Sequence, residues 1–336
     1  MIALQLVGSP TSDFFYNLSL LYAKEVVQPY GFDLKFVTAY PDGSWSVSSK
    51  LEDKTQKFSI EQMIAEVRSA DLVVPHMFCQ KGLTSIRILF EDILNIPLVG
   101  SSGHTVGITQ NKFLTKTICE KAGIKVPDGH LIKISEEYTE TKNFKFPVIV
   151  KPNNADNSDG LALVKHPNEL KKALKKSFEF DDEVLVEDYI PGREIRGAII
   201  EIDGAFKTLP FIEYKVHSKR PIRYAEDKLK FDERGNLISQ SDKNQIPAEC
   251  PANLSSDLES QLSEMMINGH KALKCRDFSM FDFRIHENTN QPYLLEAGLF
   301  WSFSNTSMIS AMISADNQNL VEVTDRIWNQ AKLRQS

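Results

Sequence analysis

Residues 278–298 read FSMFDFRIHENTNQPYLLEAG, two apolar runs on either side of a polar turn. Phe281–Ile285 and Tyr293–Ala297 carry the aromatic and branched residues of strands, and HENTNQP between them carries turn formers, so the stretch predicts a hairpin. Residues equally far from a hairpin turn sit opposite one another, which brings Asp282 and Glu296 to one end of one sheet face. Both acids are embedded in apolar sequence, where a carboxylate needs a partner. Two hard carboxylates side by side are a usual way to hold magnesium, which keeps waters and takes its other ligands from phosphate oxygens. The plain alternative is a pair of solvated acids on a sheet edge.

Working back along the chain, Phe146–Lys165 reads strand, polar loop, strand: FPVIVK, PNNADNSDG, LALVK. Lys151 ends a buried VIV run, and an ammonium taken out of water needs an anion. The small loop after it places the Ser158 hydroxyl and accessible backbone N–H groups near Gly160, a geometry that folds over phosphates. Alone, the segment fits a surface hairpin with a snorkelling lysine equally well. A helix over Pro167–Ser177 follows, then the run VLVEDYIPGREI (184–195). Glu187, Asp188, Tyr189 and Ile190 end a strand that offers backbone groups and an apolar edge to an adenine. Glu194, beyond the Pro–Gly turn, is placed to accept from ribose hydroxyls.

Closer to the N-terminus, short apolar runs alternate with helical patterns. Strands are expected at IALQLVG, Asp33–Val37, Leu72–Val74 and Ile96–Val99, with helices at Leu18–Val27 and Ile60–Arg68. Such alternation means a parallel sheet with right-handed crossovers. A helix from Thr109 to Ala122 stops at Gly123 and Pro127. Strands around Ile195–Ile202 and Ala205–Pro210 share the Asp203–Gly204 turn. Residues 213–249 are polar and aperiodic, as an active-site lid is. The capping-box spacing Ser256 to Glu259 opens a further helix.

At 336 residues the chain suits two or three packed domains. Its 42% hydrophobic and 25% charged residues are enough for a sizeable core. The net charge of −6 has no basic block, which argues against nucleic acid or an anionic membrane as partner but not against phosphate. No run approaches the roughly 18 apolar residues of a membrane span. The opening segment reads as a buried strand and not as a signal peptide. The four scattered cysteines form no CxxC pair, as in a reduced, cytoplasmic protein.

Taken together, IPLVGS with Lys112 beyond it, FPVIVKP, the Ser158–Gly160 loop, VLVED with GREI, the CPA at Cys250–Ala252, ALKCRDFSMFDFRI and YLLEAG resemble the D-alanine–D-alanine ligases of the ATP-grasp superfamily. The resemblance covers nearly the whole chain. It implies an α/β fold of ATP-grasp type: an N-terminal parallel-sheet domain (1–104), a central ATP-grasp lobe (105–192) and a C-terminal lobe (193–336) with the metal site and a lid over about 213–249. It further implies ATP with Mg2+ (or Mn2+), small-molecule substrates and a homodimer formed through the N-terminal domain. Lys112 and Lys151 would contact nucleotide phosphates, Ser158 and Gly160 would belong to the phosphate loop, Glu187 to Ile190 to the adenine hinge, and Glu194 would hold ribose. Asp282 and Glu296 would bind the metal. Lys228, in the lid, would reach the transferred phosphate, and Ser307 matches a substrate-side serine.

The departures from that pattern are informative. The family's arginine two residues before the metal aspartate is Met280 here, and its metal-binding asparagine is Gly298. An N-terminal glutamate that anchors the first D-alanine falls near Phe14. The glycine–glutamate–aspartate loop after His76 is replaced by MFCQKG, and a small TSPG segment has become Leu299–Ser302. ATP handling is retained while D-alanine recognition is not. Arg284, on the same strand face as Asp282, is the candidate to replace the missing arginine.

These departures resemble one subfamily, the D-Ala–D-Ala-ligase-like enzyme of mycosporine-like amino acid biosynthesis, at YPDGSW, PHMFC, NADNSDG, RYAEDKL and LEAGLFWSF. That resemblance implies an ATP-dependent condensation of mycosporine-glycine with an amino acid such as threonine or serine, through a phosphorylated intermediate. Phe300 and Trp301 would suit the flat conjugated ring, or else are core residues. A D-Ala–D-Ala-type dipeptide ligase, or a related amino-acid ligase, is the alternative enzyme. A non-catalytic ATP-binding regulator is the alternative outside enzymes.

Overall fold

The computed structural model describes residues 1–51, 56–135, 144–155, 158–224, 246–305 and 307–334. Lys228 and most of the expected lid lie outside these residues.

The first sheet has the order β3-β2-β1-β4. Its strands are β1 (Ile2–Gly8), β2 (Asp33–Ala39), β3 (Trp45–Ser48) and β4 (Leu72–Pro75). β1 pairs in parallel with both β2 and β4, as the strand–helix alternation predicts, and β3 closes one edge antiparallel. Ile96–Val99 contributes only a single bridge, Leu98 to Val73. The first helix is displaced from its expected position: α1 covers Asp13–Ala23, because Ser12 caps it by accepting from the Phe15 N–H. α2 (Ile60–Val67) carries a full capping box between Ser59 and Gln62. Two short helices, α3 (Gln80–Leu83) and α4 (Ser85–Ile88), run into a π-helical turn at Leu89–Ile93.

The helix expected over 109–122 is two helices, α5 (Gly103–Gln110) and α6 (Lys112–Lys121). Asn111 leaves helical geometry between them and caps α6 by accepting from Leu114 N–H. The Asn153 side chain accepts from Phe113 N–H at 2.9 Å, and its carbonyl accepts from Lys112 N–H. The start of α6 is thereby fixed to the loop after Lys151.

A second sheet, ordered β5-β8-β6-β7, is antiparallel throughout. It comprises β5 (Gly129–Lys133), β6 (Val148–Pro152), β7 (Ala162–Val164) and β8 (Glu183–Asp188), with α7 (Pro167–Ser177) packed on it. β6, α7 and β8 match their sequence expectations closely.

The third sheet is built on β9 (Gly192–Ile202). Around it lie β10 (Ala205–Thr208), β11 (Ile212–Tyr214), β12 (Ala248–Glu249), β13 (Phe278–His286) and β14 (Pro292–Gly298). Gly192 is required where this sheet begins: at φ +130° a Cβ would lie 2.1 Å from the Ile285 carbonyl oxygen. α8 (Ser256–Ala272) is capped by Ser255, which accepts from Leu258 N–H, so the Ser256–Glu259 box is not used.

Two closing helices, α9 (Met308–Ala315) and α10 (Leu320–Lys332), join the first and third sheets. Trp328 of α10 is fully buried, edge-on to Phe32 and to Phe303. Burying a side chain such as Phe303 stabilises by roughly 1.5–3 kcal/mol.

Candidate active site

A cleft of about 640 Å³, open to solvent, lies between the second and third sheets. Lys151, Ser158, Glu187, Asp188, Tyr189, Ile190, Glu194, Asp282, Arg284 and Glu296 all line it. These residues come from five strands and two loops, so the fold gathers segments that lie far apart in the sequence.

Asp282 and Glu296 are direct partners across the β13–β14 ladder, as expected, although a register shift between Asp282 and Phe283 is what brings them opposite. β13 also pairs with β9, where Asp282 faces Arg196 and Arg284 faces Glu194. Arg196 grips Asp282 with two hydrogen bonds, Nε to Oδ1 at 2.5 Å and Nη2 to Oδ2 at 2.7 Å. Both side chains are only 15% exposed, so this bidentate pair is far stronger than a surface one. Burial disfavours the Arg196 cation, but the Asp282 charge outweighs it and raises the guanidinium above its ordinary value.

On the opposite wall Glu187 is 2% exposed and lies between two ammonium groups. Lys151 Nζ is 2.8 Å from its carboxylate, and Lys116 Nζ donates to the other oxygen. Burial pushes the Glu187 carboxyl up, yet the two lysines outweigh burial and hold it below the usual carboxylate range. For Lys116 burial wins despite Glu187, and its ammonium falls to about 8. For Lys151 burial is outweighed by Glu187 and Glu296, and its value rises. The Glu187 side chain therefore belongs to an ion cluster.

The hinge is held by Arg284. Its Nε donates to the Ile190 carbonyl at 3.0 Å and its Nη2 to the Tyr189 hydroxyl at 3.2 Å. Its Nη1 serves both the Pro221 carbonyl and Glu194. Arg284, expected to stand in for the arginine missing at Met280, thus directs these donors to Tyr189, Ile190, Glu194 and Pro221. Glu194 receives Arg284 on one oxygen and Arg223 on the other. The Arg223 guanidinium also stacks 3.5 Å above the Tyr214 ring.

Three sequence-expected residues lie elsewhere. Lys112 Nζ donates to the Ala155 carbonyl, bracing the start of the phosphate-loop candidate without lining the cleft. Gly160, at φ +69°, shapes that loop: a Cβ there would lie 2.8 Å from Pro152 Cγ and 2.9 Å from Phe180 Cδ2. Ser307 caps α9 by accepting from Ser310 N–H. Lys116, Arg196 and Arg223 were not read from the sequence. A signal existed for Arg196, since on a strand it shares the face of Glu194 two residues earlier, and for Lys116, one helical turn after Lys112.

Met280 and Gly298 are partners in the ladder next to the carboxylate pair, and neither brings charge. Trp301 is core: it is 2% exposed, bonded to Ser310 and stacked on Phe303 at 4.2 Å. Phe300 is half-buried and meets Phe78 at 4.2 Å between centroids, with Tyr22 completing an aromatic trio. His76 is buried, bonded to Gln5 at 2.7 Å, and burial lowers it to about 3, so it is neutral at ordinary pH.

Among the described residues no group of three or more His, Cys, Asp or Glu is arranged to hold a metal alone. A pair of opposed carboxylates still fits a hard cation whose other ligands are water and phosphate oxygens. Among the same residues, no helix is long and apolar enough to cross a membrane.

Similarity to known proteins agrees with this geometry. An uncharacterized protein, y4sG, of Sinorhizobium fredii is 31% identical over 207 residues, which is 61% of this chain and 57% of that protein. The D-alanine–D-alanine ligase of Acetivibrio thermocellus is 27% identical over 281 residues, 80% of this chain and 69% of that one. The chain thus spans between 57% and 69% of the length of these curated relatives. The solved structure of D-alanine–D-alanine ligase from Bacillus anthracis complexed with ATP superposes with a TM-score of 0.72 at 21% identity, covering 99% of this chain and 97% of that one. This likeness shows the α/β ATP-grasp fold. Residues 107–328, or 222 of the 336, match the family described as D-ala D-ala ligase C-terminus, and the chain belongs to that family.

Proposed function

We propose that this chain is an ATP-dependent carbon–nitrogen ligase whose electrophile is a mycosporine-glycine-type conjugated ring and whose nucleophile is an amino acid such as threonine or serine. The cleft supports the nucleotide half of this reading. Lys151 and Ser158 would face phosphates, the Tyr189–Ile190 hinge an adenine, and Glu194 ribose once Arg223 withdraws. Asp282 and Glu296 would hold Mg2+, which when bound neutralises phosphate charge. Lys228 would approach the transferred phosphate from the lid, and Ser307 the substrate.

The observation that carries the acceptor half is the trio Tyr22, Phe78 and Phe300. Phe78 follows the carboxyl end of β4, the edge where open α/β sheets take ligands, and Phe300 lies just past Glu296 and β14. Half-buried aromatic faces suit a flat conjugated ring better than an ammonium. In the proposed reaction the enolised ring oxygen attacks the γ-phosphorus and ADP leaves. The amine then adds to the carbon, and the C–O bond breaks to release phosphate and leave the imine. Charge in that step is shared with the nitrogen substituent conjugated to the ring, which fits a site with Met280 where the family has arginine.

A D-Ala–D-Ala-type dipeptide ligase is the second reading, favoured by the name of the Acetivibrio relative. One assay separates the two. Protein, ATP and Mg2+ with mycosporine-glycine and serine or threonine should yield ADP and a product absorbing at longer wavelength. ADP release driven by D-alanine alone, without a new chromophore, would replace the first reading by the second. The same proposal includes division near residues 104 and 192, a homodimer through the N-terminal sheet, and cytoplasmic location.

A further inference from the structure

We propose that Arg196 is a built-in counter-cation that makes divalent-metal binding at Asp282 and Glu296 depend on the nucleotide. The inference rests on the reading of that pair as the metal carboxylates. Arg196 is the ladder partner of Asp282 on β9, and its guanidinium engages both Asp282 oxygens at 2.5 and 2.7 Å. Glu296 is not left uncompensated either, because its charge acts on both Lys116 and Lys151. Each carboxylate of the pair therefore has resident positive charge.

A hydrated divalent ion arriving alone must displace a bidentate guanidinium from a carboxylate that is only 15% exposed. It would gain two carboxylates and lose much of its water, a poor exchange for magnesium. A triphosphate changes the balance. It brings phosphate oxygens as metal ligands, and its negative charge draws Lys151, Lys116 and Arg196 away from the acids. Arg196 then remains beside the pair, where Met280 and Gly298 supply no charge. In this role Arg196 is a positioning residue: it holds Asp282 oriented and keeps lone metal ions out.

The test uses Mn2+ binding to the full-length protein, followed by the paramagnetic signal of the free ion, without turnover. Wild-type protein should bind Mn2+ weakly alone and tightly with ADP. Arg196→Gln should bind Mn2+ alone roughly tenfold to a hundredfold more tightly, because one adjacent positive charge is gone. Arg196→Lys, which keeps the charge and the fold but not the fork, should fall between the two. Adding Asp282→Asn to Arg196→Gln should abolish the gain. The inference is overturned if Arg196→Gln and Arg196→Lys bind Mn2+ no better than wild type, or if the gain survives Asp282→Asn. Because no acceptor is present, failure of the ligase reading would show only in the ADP-release assay and would leave this result standing.

Discussion

Lys151 and Glu187 form a 2.8 Å ion pair between β6 and β8, with both side chains under 10% exposed. The pair ties β6 to β8, the strand that leads into Tyr189 and Ile190, and Lys116 closes it from α6. Glu187 is the direct partner of both ammonium groups, with the Glu296 charge acting on them as well. Removing the carboxylate should therefore be costly.

Glu187→Gln leaves two buried ammonium groups without their anion, a loss of about 3–5 kcal/mol when one partner of a buried pair is removed. Chemical denaturation should report that loss against wild type. The pH dependence has a fixed sign. The native Glu187 pKa lies below its ordinary 4.5, so its contribution is complete above 4.5 and disappears as pH falls through the lowered native value. The gap between wild type and Glu187→Gln should therefore narrow on acidification; a constant gap would refute the assignment.

His76 predicts a second acid effect. Its native value of about 3 lies below the ordinary 6.5, so the unfolded chain binds a proton that the native chain refuses. Stability should fall as pH drops from 6.5 toward 3, and His76→Gln should lack that part of the slope. Unfolding midpoints measured across this window give the comparison.

Asp282→Asn and Glu296→Gln should each lower ATP-dependent turnover by on the order of 100-fold or more while the thermal transition remains cooperative. Steady-state ADP release measures it. Unchanged turnover in both variants would remove the carboxylate pair from the chemistry.

The aromatic trio should act on the acceptor alone. Phe300→Ala or Phe78→Ala removes two ring pairs of the trio, each worth about 0.5–1.5 kcal/mol beyond area, and should raise KM for the ring substrate by roughly two- to tenfold. KM for ATP should stay within error. A parallel rise in both would place these rings in the core and not at the substrate.

Much of the architecture was legible in the sequence because local signals agree with it. The alternation in the first third implies the parallel sheet, and Pro167–Ser177 forms its helix. The hairpin after Phe278 does oppose Asp282 to Glu296, but through a register shift between Asp282 and Phe283 that counting from the turn does not reveal. Boundaries failed where capping side chains set the helix ends, Ser12 for α1 and Asn111 for α6. Asn153 helps divide the helix expected over 109–122, and no local pattern announces a cap supplied from 40 residues away.

The partners of the charged residues were decided only by tertiary structure. The sequence shows that Lys151, Glu187, Glu194 and Asp282 sit in apolar runs, and hence that each needs a counter-charge. It does not say which one, because ion pairing depends on distances of a few ångströms between segments far apart in the chain. Lys116 on Glu187, Arg223 on Glu194 and Arg196 on Asp282 exist because three sheets and α6 converge on one cleft. The same convergence turns Arg284 toward the Ile190 and Pro221 carbonyls, a pairing between segments that no local pattern specifies.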